Sequence, residues 1–185
     1  MYMDKHMFLG ANTPDGFVHY FDKLTEMYNL KKLYILKGTP GCGKSTLMKK
    51  FANAFNDEQR YGARTFFYCS ADPNSLDGIV LEDLGVAIVD GTAPHEISNG
   101  ELVFLADIGP YDPKIQKLCD KKGEHYRRAF RELAHARILH KQLERHYTSK
   151  VDFESVNALC SKLITSTKLE AGVISRKSHL ENSTK

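Results

Sequence analysis

The sequence predicts a three-layer α/β/α fold with a mostly parallel sheet, followed by an α-helical appendage. The first observation is an apolar run at residues 33–37, which leads into a glycine-rich turn and then a helical pattern. Two further apolar runs follow at residues 65–69 and 86–89. Residues 113–147 are then almost entirely helix formers. A strand, a helix and further strands in this order are typical of the βαβ pattern of a parallel sheet.

The glycine-rich turn lies in "LKGTPGCGKSTLMKK", which contains the spacing G-x-x-x-x-G-K-[ST]. In a P-loop, this spacing turns successive backbone N–H groups toward a phosphate, and the lysine reaches the β- and γ-phosphates. A chance glycine-rich turn is the alternative, but the preceding strand and the apolar residues at helical spacing after it favour the P-loop. The residues predicted to bind the phosphates are Gly38, Thr39, Pro40, Gly41, Cys42, Gly43, Lys44, Ser45 and Thr46.

A second motif ends the apolar run at residues 86–89, which leads directly into Asp90. A Walker B strand delivers a carboxylate to Mg²⁺ in this way, and ligands of open α/β sheets bind at the carboxyl ends of the strands. The simpler interpretation of Asp90 is a helix cap or a turn residue. With the P-loop upstream, we expect Ser45 and Asp90 to bind Mg²⁺ beside Lys44.

The segment after Asp90 reads Gly-Thr-Ala-Pro-His, whereas many hydrolytic P-loop ATPases carry a glutamate there to orient the attacking water. We expect catalytic roles for Lys44, Asp90 and His95. For His95, a surface imidazole in a turn is the alternative interpretation. The side chains that could replace the missing glutamate are His95, Glu96, Asp72 and Asp77.

Composition indicates an ordinary globular chain, with 42% hydrophobic and 26% charged residues among 185. The formal net charge of +3 is too small to indicate nucleic-acid binding without clustering on one face. The four cysteines form no C-x-x-C pair, so we expect reduced thiols and no zinc site. With no signal-peptide pattern and no apolar run near eighteen residues, we expect a cytoplasmic protein without a membrane span.

Three regions are predicted along the chain. Residues 1–110 form the nucleotide-binding core, which begins with a hairpin around Thr13-Pro14-Asp15-Gly16 and has one more short strand near residues 102–105. Residues 111–166 form a helical hairpin, or lid, that packs against or stands over the nucleotide edge. Its first helix covers about residues 113–147, with Gly123 as a possible break. Its second helix covers about residues 153–164, with Asp152 as the N-cap. Residues 167–185 form a polar linker or disordered tail.

The first helix of this hairpin is rich in basic residues. A solvated helix face with i,i+4 ion pairs is the simplest interpretation. A sharper one is that Arg127, Arg128 or Arg131 folds over the phosphates as a finger. Binding to a nucleic-acid backbone is the third and least favoured, because few aromatic residues are interleaved with the charges.

Three segments together carry a resemblance: "GANTPDGFVHYFD", "KGTPGCGKSTLMKK" and "YCSADPNSLDGIVLEDLGVAIVDGTAPH". They resemble the N-terminal half of a little-characterised bacterial family of tandem P-loop ATP-binding proteins. The resemblance implies a P-loop NTPase fold, ATP as the nucleotide and a second, similar half. It does not identify a substrate or a pathway.

The sequence therefore predicts an ATP- and Mg²⁺-binding P-loop protein, for which three function classes stay open. The first is ATP hydrolysis, slow for this chain alone and dependent on a second P-loop half or a homo-oligomer. The second is phosphoryl transfer to a small acceptor, and the third is nucleotide sensing with little turnover. Only three parallel strands are evident, so we expect a narrow sheet whose exposed edge is paired by something else.

Overall fold

A computed structural model of the chain describes residues 4–105 and 113–170. The chain is an α/β protein with a six-stranded sheet, a separate two-stranded hairpin and helices. The strands are β1 (Lys5–Met7), β2 (Gly10–Thr13), β3 (Gly16–His19), β4 (Lys32–Lys37), β5 (Arg64–Tyr68), β6 (Leu76–Leu81), β7 (Val86–Asp90) and β8 (Glu101–Phe104). The helices are α1 (Leu24–Met27), α2 (Lys44–Ala54), α3 (Glu58–Tyr61), α4 (Pro113–Thr148) and α5 (Phe153–Glu170), and a 3₁₀ turn at Phe21–Lys23 precedes α1.

The six-stranded sheet has the order β1-β5-β6-β7-β4-β8. Strand β6 is antiparallel to both of its neighbours, and the other three pairs, β1 with β5, β7 with β4 and β4 with β8, are parallel. Five strands therefore share one direction, as a mostly parallel sheet requires. The predicted hairpin is confirmed, because β2 and β3 pair across the turn that joins Thr13 and Gly16.

The expectation of a narrow, three-stranded sheet is wrong. The segment between β5 and β7, for which no strand is predicted from the sequence, contains β6, in which every residue is buried. A four-residue turn joins β6 to β7, and its last residue, Gly85, has a left-handed φ of 65°. Gly85 also donates its N–H to the Leu81 carbonyl at 3.0 Å. The two strands thus form a central hairpin rather than a crossover.

Alternating residues of the central strands face two hydrophobic clusters, one on each side of the sheet. On one side, Ile35 and Val89 pack with Phe21 and Leu24 from the 3₁₀ turn and α1. On the other side, Leu36 packs with Met48 and Ala52 of α2. Helix α2 is thereby held against the sheet, and its first residue lies directly beyond the end of β4.

The helical region differs from the core in burial. No residue of α4 or α5 is buried. The N-cap predicted at Asp152 is confirmed, since its Oδ1 accepts the backbone N–H groups of Glu154 and Ser155. The possible break at Gly123 does not occur, because α4 continues through it. Among the described residues, no helix is both long and apolar enough to cross a lipid bilayer.

The chain divides into two compact units, Met1–Arg137 and Ile138–Lys185, and the boundary falls within α4. The first unit contains the sheet, and its α4 residue Arg137 forms an ion pair with Asp15 of the β2–β3 turn at 2.6 Å. The second unit contains the end of α4 and all of α5. Helix α5 extends past the predicted end near Ile164 to Glu170, and residues 171–185 of the predicted tail lie outside the described residues.

We expect Ile79→Ala to lower the free energy of unfolding by about 2–5 kcal/mol, because Ile79 is fully buried in the middle of the sheet. Ile138→Ala is the matched control, since Ile138 is 55% exposed and its truncation should cost no more than about 0.5 kcal/mol. Urea denaturation of both variants measures the difference. Equal losses in the two variants would contradict the central position of β6.

Candidate functional site

The parallel pairing of β4 with β7 brings two chain segments to one edge of the sheet. The register places Leu36 beside Asp90, and the Gly91 N–H donates to the Leu36 carbonyl at 3.0 Å. The loop at residues 38–43, called here the glycine loop, therefore leaves the sheet next to the segment at residues 91–95. Both segments line one cavity of about 360 Å³, a size within the usual range for small-molecule sites.

The N-terminus of α2 opens into this cavity. Gly43, the N-cap residue, has a φ of 94°, and Gly41 has a φ of 85°; both values lie in the left-handed region that favours glycine. No side chain caps the helix, and no acidic residue lies in its first turn. The first N–H groups of an α-helix lack intrahelical partners, so this helix start can receive an anion.

Lys44 is the cation at this position, and it is 8% exposed. Its Nζ donates to the Gly38 carbonyl at 2.6 Å and the Thr39 carbonyl at 3.1 Å. The same Nζ lies 3.6 Å from Oδ2 of Asp90. A buried ammonium is thus held by its own loop and paired with the carboxylate at the end of β7.

Thr92 connects the parts of the site. Its N–H donates to Asp90 Oδ1 at 2.8 Å, and its hydroxyl donates to the Gly38 carbonyl at 3.0 Å. Its own carbonyl accepts the His95 N–H at 2.9 Å. The Asp90 carboxylate is therefore oriented from both sides, by Lys44 and by Thr92, and the segment after β7 is fastened to the glycine loop.

Ser45 and Asp90 both line the cavity and each offers a side-chain oxygen to a divalent cation. The Ser45 hydroxyl oxygen accepts the Leu76 N–H at 2.9 Å, which orients the hydroxyl while leaving a second lone pair. Among residues 4–105 and 113–170, no group of three or more His, Cys, Asp or Glu side chains is placed to hold a metal. Two protein oxygens suit Mg²⁺, which keeps several waters and takes its remaining ligands from substrate phosphates.

A second acid–base pair lies in the same cavity. His95 Nε2 is 3.0 Å from Asp77 Oδ2, and the two residues are 7% and 5% exposed. His95 Nδ1 lies 3.3 Å from the Thr92 carbonyl. Burial lowers the pKa of the His95 imidazole, but Asp77, with smaller contributions from Asp90 and the Thr92 carbonyl, outweighs burial and raises that pKa above its ordinary value.

Aromatic rings pack against His95. Phe17 of β3 meets the imidazole edge-on with 4.8 Å between ring centroids, and Phe21 does so at 5.5 Å. The interpretation of His95 as a surface imidazole is therefore wrong. The β2–β3 hairpin and the 3₁₀ turn hold the ring in one position beside Asp77.

The predicted site residues are distributed as follows. The cavity is lined by Pro40, Gly41, Gly43, Lys44, Ser45, Thr46, Asp90 and His95, together with Cys69, Ser75, Leu76, Asp77, Thr92 and Ala93. Three predicted residues, Gly38, Thr39 and Cys42, do not line the cavity. The carbonyls of Gly38 and Thr39 accept hydrogen bonds from Lys44, and the Cys42 sulfur is 3.9 Å from Lys44 Nζ.

Several alternatives from the sequence do not lie in the cavity. Asp72 is exposed, and its carboxylate accepts the Asn74 N–H in a local turn at 3.0 Å. Glu96 is exposed and does not line the cavity. Arg127, Arg128 and Arg131 are exposed on α4, and no arginine is found among the described residues that line the cavity. The finger prediction therefore has no contact in support of it.

Sequence reasoning gave no role to Thr92 and considered Asp77 only as one of four substitutes. The signal that locates Asp77 is the apolar run after it, Gly-Ile-Val-Leu, followed by the turn Glu-Asp-Leu-Gly and the next strand. This pattern is typical of a hairpin. It would have placed Asp77 at the start of an antiparallel strand, and hence at the same edge as Asp90.

A family model described as Nephrocystin 3, N-terminal matches residues 20–81, less than half of the chain. The matched part includes the glycine loop, α2 and Asp77, and it stops before Asp90 and His95. No curated protein and no solved structure matches the chain.

Gly91 directly follows Asp90, and packing explains why no side chain is present there. A Cβ on Gly91 would lie 2.2 Å from Ile35 Cγ2 and 3.3 Å from Lys37 Cε. Real Cβ atoms do not approach other heavy atoms so closely. A glutamate at this position would require the Ile35 side chain to shift out of its place in the core.

We expect Gly91→Glu to lower the free energy of unfolding by about 1–3 kcal/mol or more, because the new side chain overpacks against Ile35. Gly123→Glu on α4 is the control, since the nearest atom to an added Cβ there is Arg127 Nη1 at 3.5 Å. Urea denaturation measures both variants. The assigned clash also predicts a smaller loss when Gly91→Glu is introduced into an Ile35→Ala background than into wild type. An equal loss in the two backgrounds would contradict the clash.

The His95–Asp77 pair should make stability depend on pH. Because the folded pKa of His95 is raised, the stabilisation is complete below the unfolded value of about 6.5 and is lost as the pH rises through the folded pKa. We expect the difference in urea midpoint between wild type and His95→Gln to be larger at pH 6 than at pH 9. His135→Gln, which removes an exposed imidazole from α4, is the control. A difference in urea midpoint between wild type and His95→Gln that grows with pH would contradict the pairing.

Proposed function

We propose that this chain is a P-loop ATPase that binds ATP with Mg²⁺ and hydrolyses it slowly when alone. The observation that carries the proposal is the pairing of Lys44 with Asp90 at the uncapped start of α2. A buried cation, a helix N-terminus and an oriented carboxylate in one cavity supply what a triphosphate and its metal need. The resemblance to the tandem P-loop ATP-binding family supports ATP as the nucleotide.

Each residue has a defined role in the proposed site. Lys44 would leave the Gly38 and Thr39 carbonyls and contact the β- and γ-phosphates, and the α2 N–H groups would bind the same phosphates. Ser45 and Asp90 would hold Mg²⁺, which neutralises charge on the phosphate oxygens when it is bound. Thr92 fixes the Asp90 carboxylate toward Lys44 through its 2.8 Å hydrogen bond.

Slow turnover follows from the composition of the cavity. Arginine fingers accelerate phosphoryl transfer by about 10³–10⁵-fold, and no arginine lines the described part of this cavity. Pro40, Gly41, Thr46 and Ala93 line the cavity and are exposed, so a residue of another subunit can reach the cavity there. The proposed partner is a second P-loop half, as in the tandem family, or a second copy of this chain.

We expect Lys44→Ala to weaken MgATP binding by at least about tenfold, because a hydrogen bond to a charged group contributes about 1.5–3 kcal/mol. Lys50→Ala, which removes an exposed lysine from the same helix, is the control and should bind as wild type does. Asp90→Asn should weaken the dependence on Mg²⁺ more than it weakens binding of ATP alone. Calorimetric titration with ATP, with and without Mg²⁺, measures these effects.

The same proteins should be assayed for phosphate release over a wide range of protein concentration, with GTP as a competitor. Activity per chain that rises with concentration supports activation by a second copy. Wild-type affinity in Lys44→Ala would overturn the P-loop assignment, and an unchanged Mg²⁺ effect in Asp90→Asn would remove that residue from the metal site. ATP consumption that appears only with an added small acceptor would instead indicate a kinase.

A further inference from the structure

Asp77 occupies an unusual position in the sheet. The β5–β6 register pairs Phe67 with Gly78 and Tyr68 with Leu76, so Asp77 is the extra residue of a β-bulge. Because β6 runs opposite to β7, its first residues lie at the edge where β4 and β7 end. Bulges next to functional sites re-aim a side chain, and here the bulge residue lines the cavity that contains Lys44 and Asp90.

Two acidic residues line the described part of the cavity, and they have different partners. Asp90 is engaged by Lys44 and Thr92 and is the proposed metal ligand. Asp77 is paired with His95 instead. The 3.0 Å contact joins His95 Nε2 to Asp77 Oδ2 and does not involve Asp77 Oδ1. The position after Asp90 is closed to any side chain by Ile35. Asp77 is thus the remaining buried carboxylate that can serve a water molecule in this cavity.

His95 is itself a poor candidate for the base. Both of its nitrogens face oxygens, Nδ1 the Thr92 carbonyl and Nε2 the Asp77 carboxylate. A carbonyl only accepts a hydrogen bond, so Nδ1 carries the proton that faces Thr92, and Nε2 lies at ion-pair distance from Asp77 without the geometry of a hydrogen bond. Because Asp77 outweighs burial and raises the pKa of the imidazole, the protonated ring is favoured, and a protonated ring has no nitrogen free to accept a proton from water. The imidazole instead keeps Asp77 in place and compensates its negative charge.

The other groups that face Asp77 agree with this assignment. Cys69, which follows β5, lies in the same cavity lining, and burial, with a smaller contribution from Asp77, raises the pKa of its thiol above the ordinary value. Lys44 lies across the cavity and is paired with Asp90. With Lys44 matched to Asp90 and His95 matched to Asp77, the cavity holds two compensated pairs.

We propose that Asp77 is the catalytic residue that orients and deprotonates the attacking water, and that His95 is its positioning residue; this rests on the proposed ATPase function. The water oxygen forms a new bond to the γ-phosphorus, and the bond from that phosphorus to the β–γ bridging oxygen breaks. Its electron pair leaves with ADP. Asp77 takes one water proton and later releases it to solvent, and the other stays on the phosphate product.

The test compares Asp77→Asn and His95→Gln with wild type by steady-state phosphate release and by calorimetric MgATP binding. General-base catalysis contributes about 10²–10⁴-fold, so Asp77→Asn should lower kcat by at least about a hundredfold. Its dissociation constant for MgATP should stay within about threefold of wild type, because Asp77 serves the water and not the nucleotide. His95→Gln should lower kcat with the same unchanged binding. Glu96→Gln, an exposed neighbouring acid, is the control and should match wild type.

Transition-state analogues separate catalysis from a structural role. Groups that act only in the transition state contribute to binding its analogues and not those of the ground state. Asp77→Asn should therefore weaken binding of ADP with aluminium fluoride at least tenfold, with ADP and beryllium fluoride unaffected. Equal weakening of both, or wild-type turnover in Asp77→Asn, overturns the role of Asp77 while leaving the ATPase proposal intact. Absence of ATP binding and turnover in wild type overturns both proposals.

Discussion

The parallel pairing of β4 with β7 is the constraint on which the rest of the site depends. It places Leu36 beside Asp90, so that the glycine loop and the segment at residues 91–95 leave the sheet at the same edge. This arrangement brings Lys44 Nζ to 3.6 Å from Oδ2 of Asp90. The same pairing packs Ile35 against Gly91, which closes that position to a side chain.

Strand β6 adds the second half of the site, because it runs against its neighbours. A parallel strand would have presented its carboxyl end at this edge, but β6 presents its beginning, with the bulge at Asp77. The residues before the bulge also contact α2, since the Leu76 N–H donates to the Ser45 hydroxyl. One short antiparallel strand thereby connects the proposed metal ligand Ser45 with the buried Asp77–His95 pair.

Three titratable residues of the site are buried, whereas the charged residues of the helical region are exposed. The cavity residues Lys44, Asp77 and His95 are each less than a tenth exposed, so their charges act on one another in a medium less polarisable than water. The basic residues Arg127, Arg128 and Arg131 of α4 are exposed, where water and salt screen their charges. Charged side chains therefore interact more strongly with one another in the site than on α4. Composition alone does not reveal this difference.

The sequence by itself determined the local features: the P-loop spacing, the hairpin at Thr13–Gly16, the strand that ends at Asp90 and the cap at Asp152. Each depends on residues close together in the chain, whose turn, cap and periodicity rules are local. Only the tertiary structure decided that β6 is a central antiparallel strand, that Asp77 pairs with His95 and that Ile35 blocks position 91. These facts depend on pairing between strands that are distant in sequence, where register rather than composition selects which side chains meet.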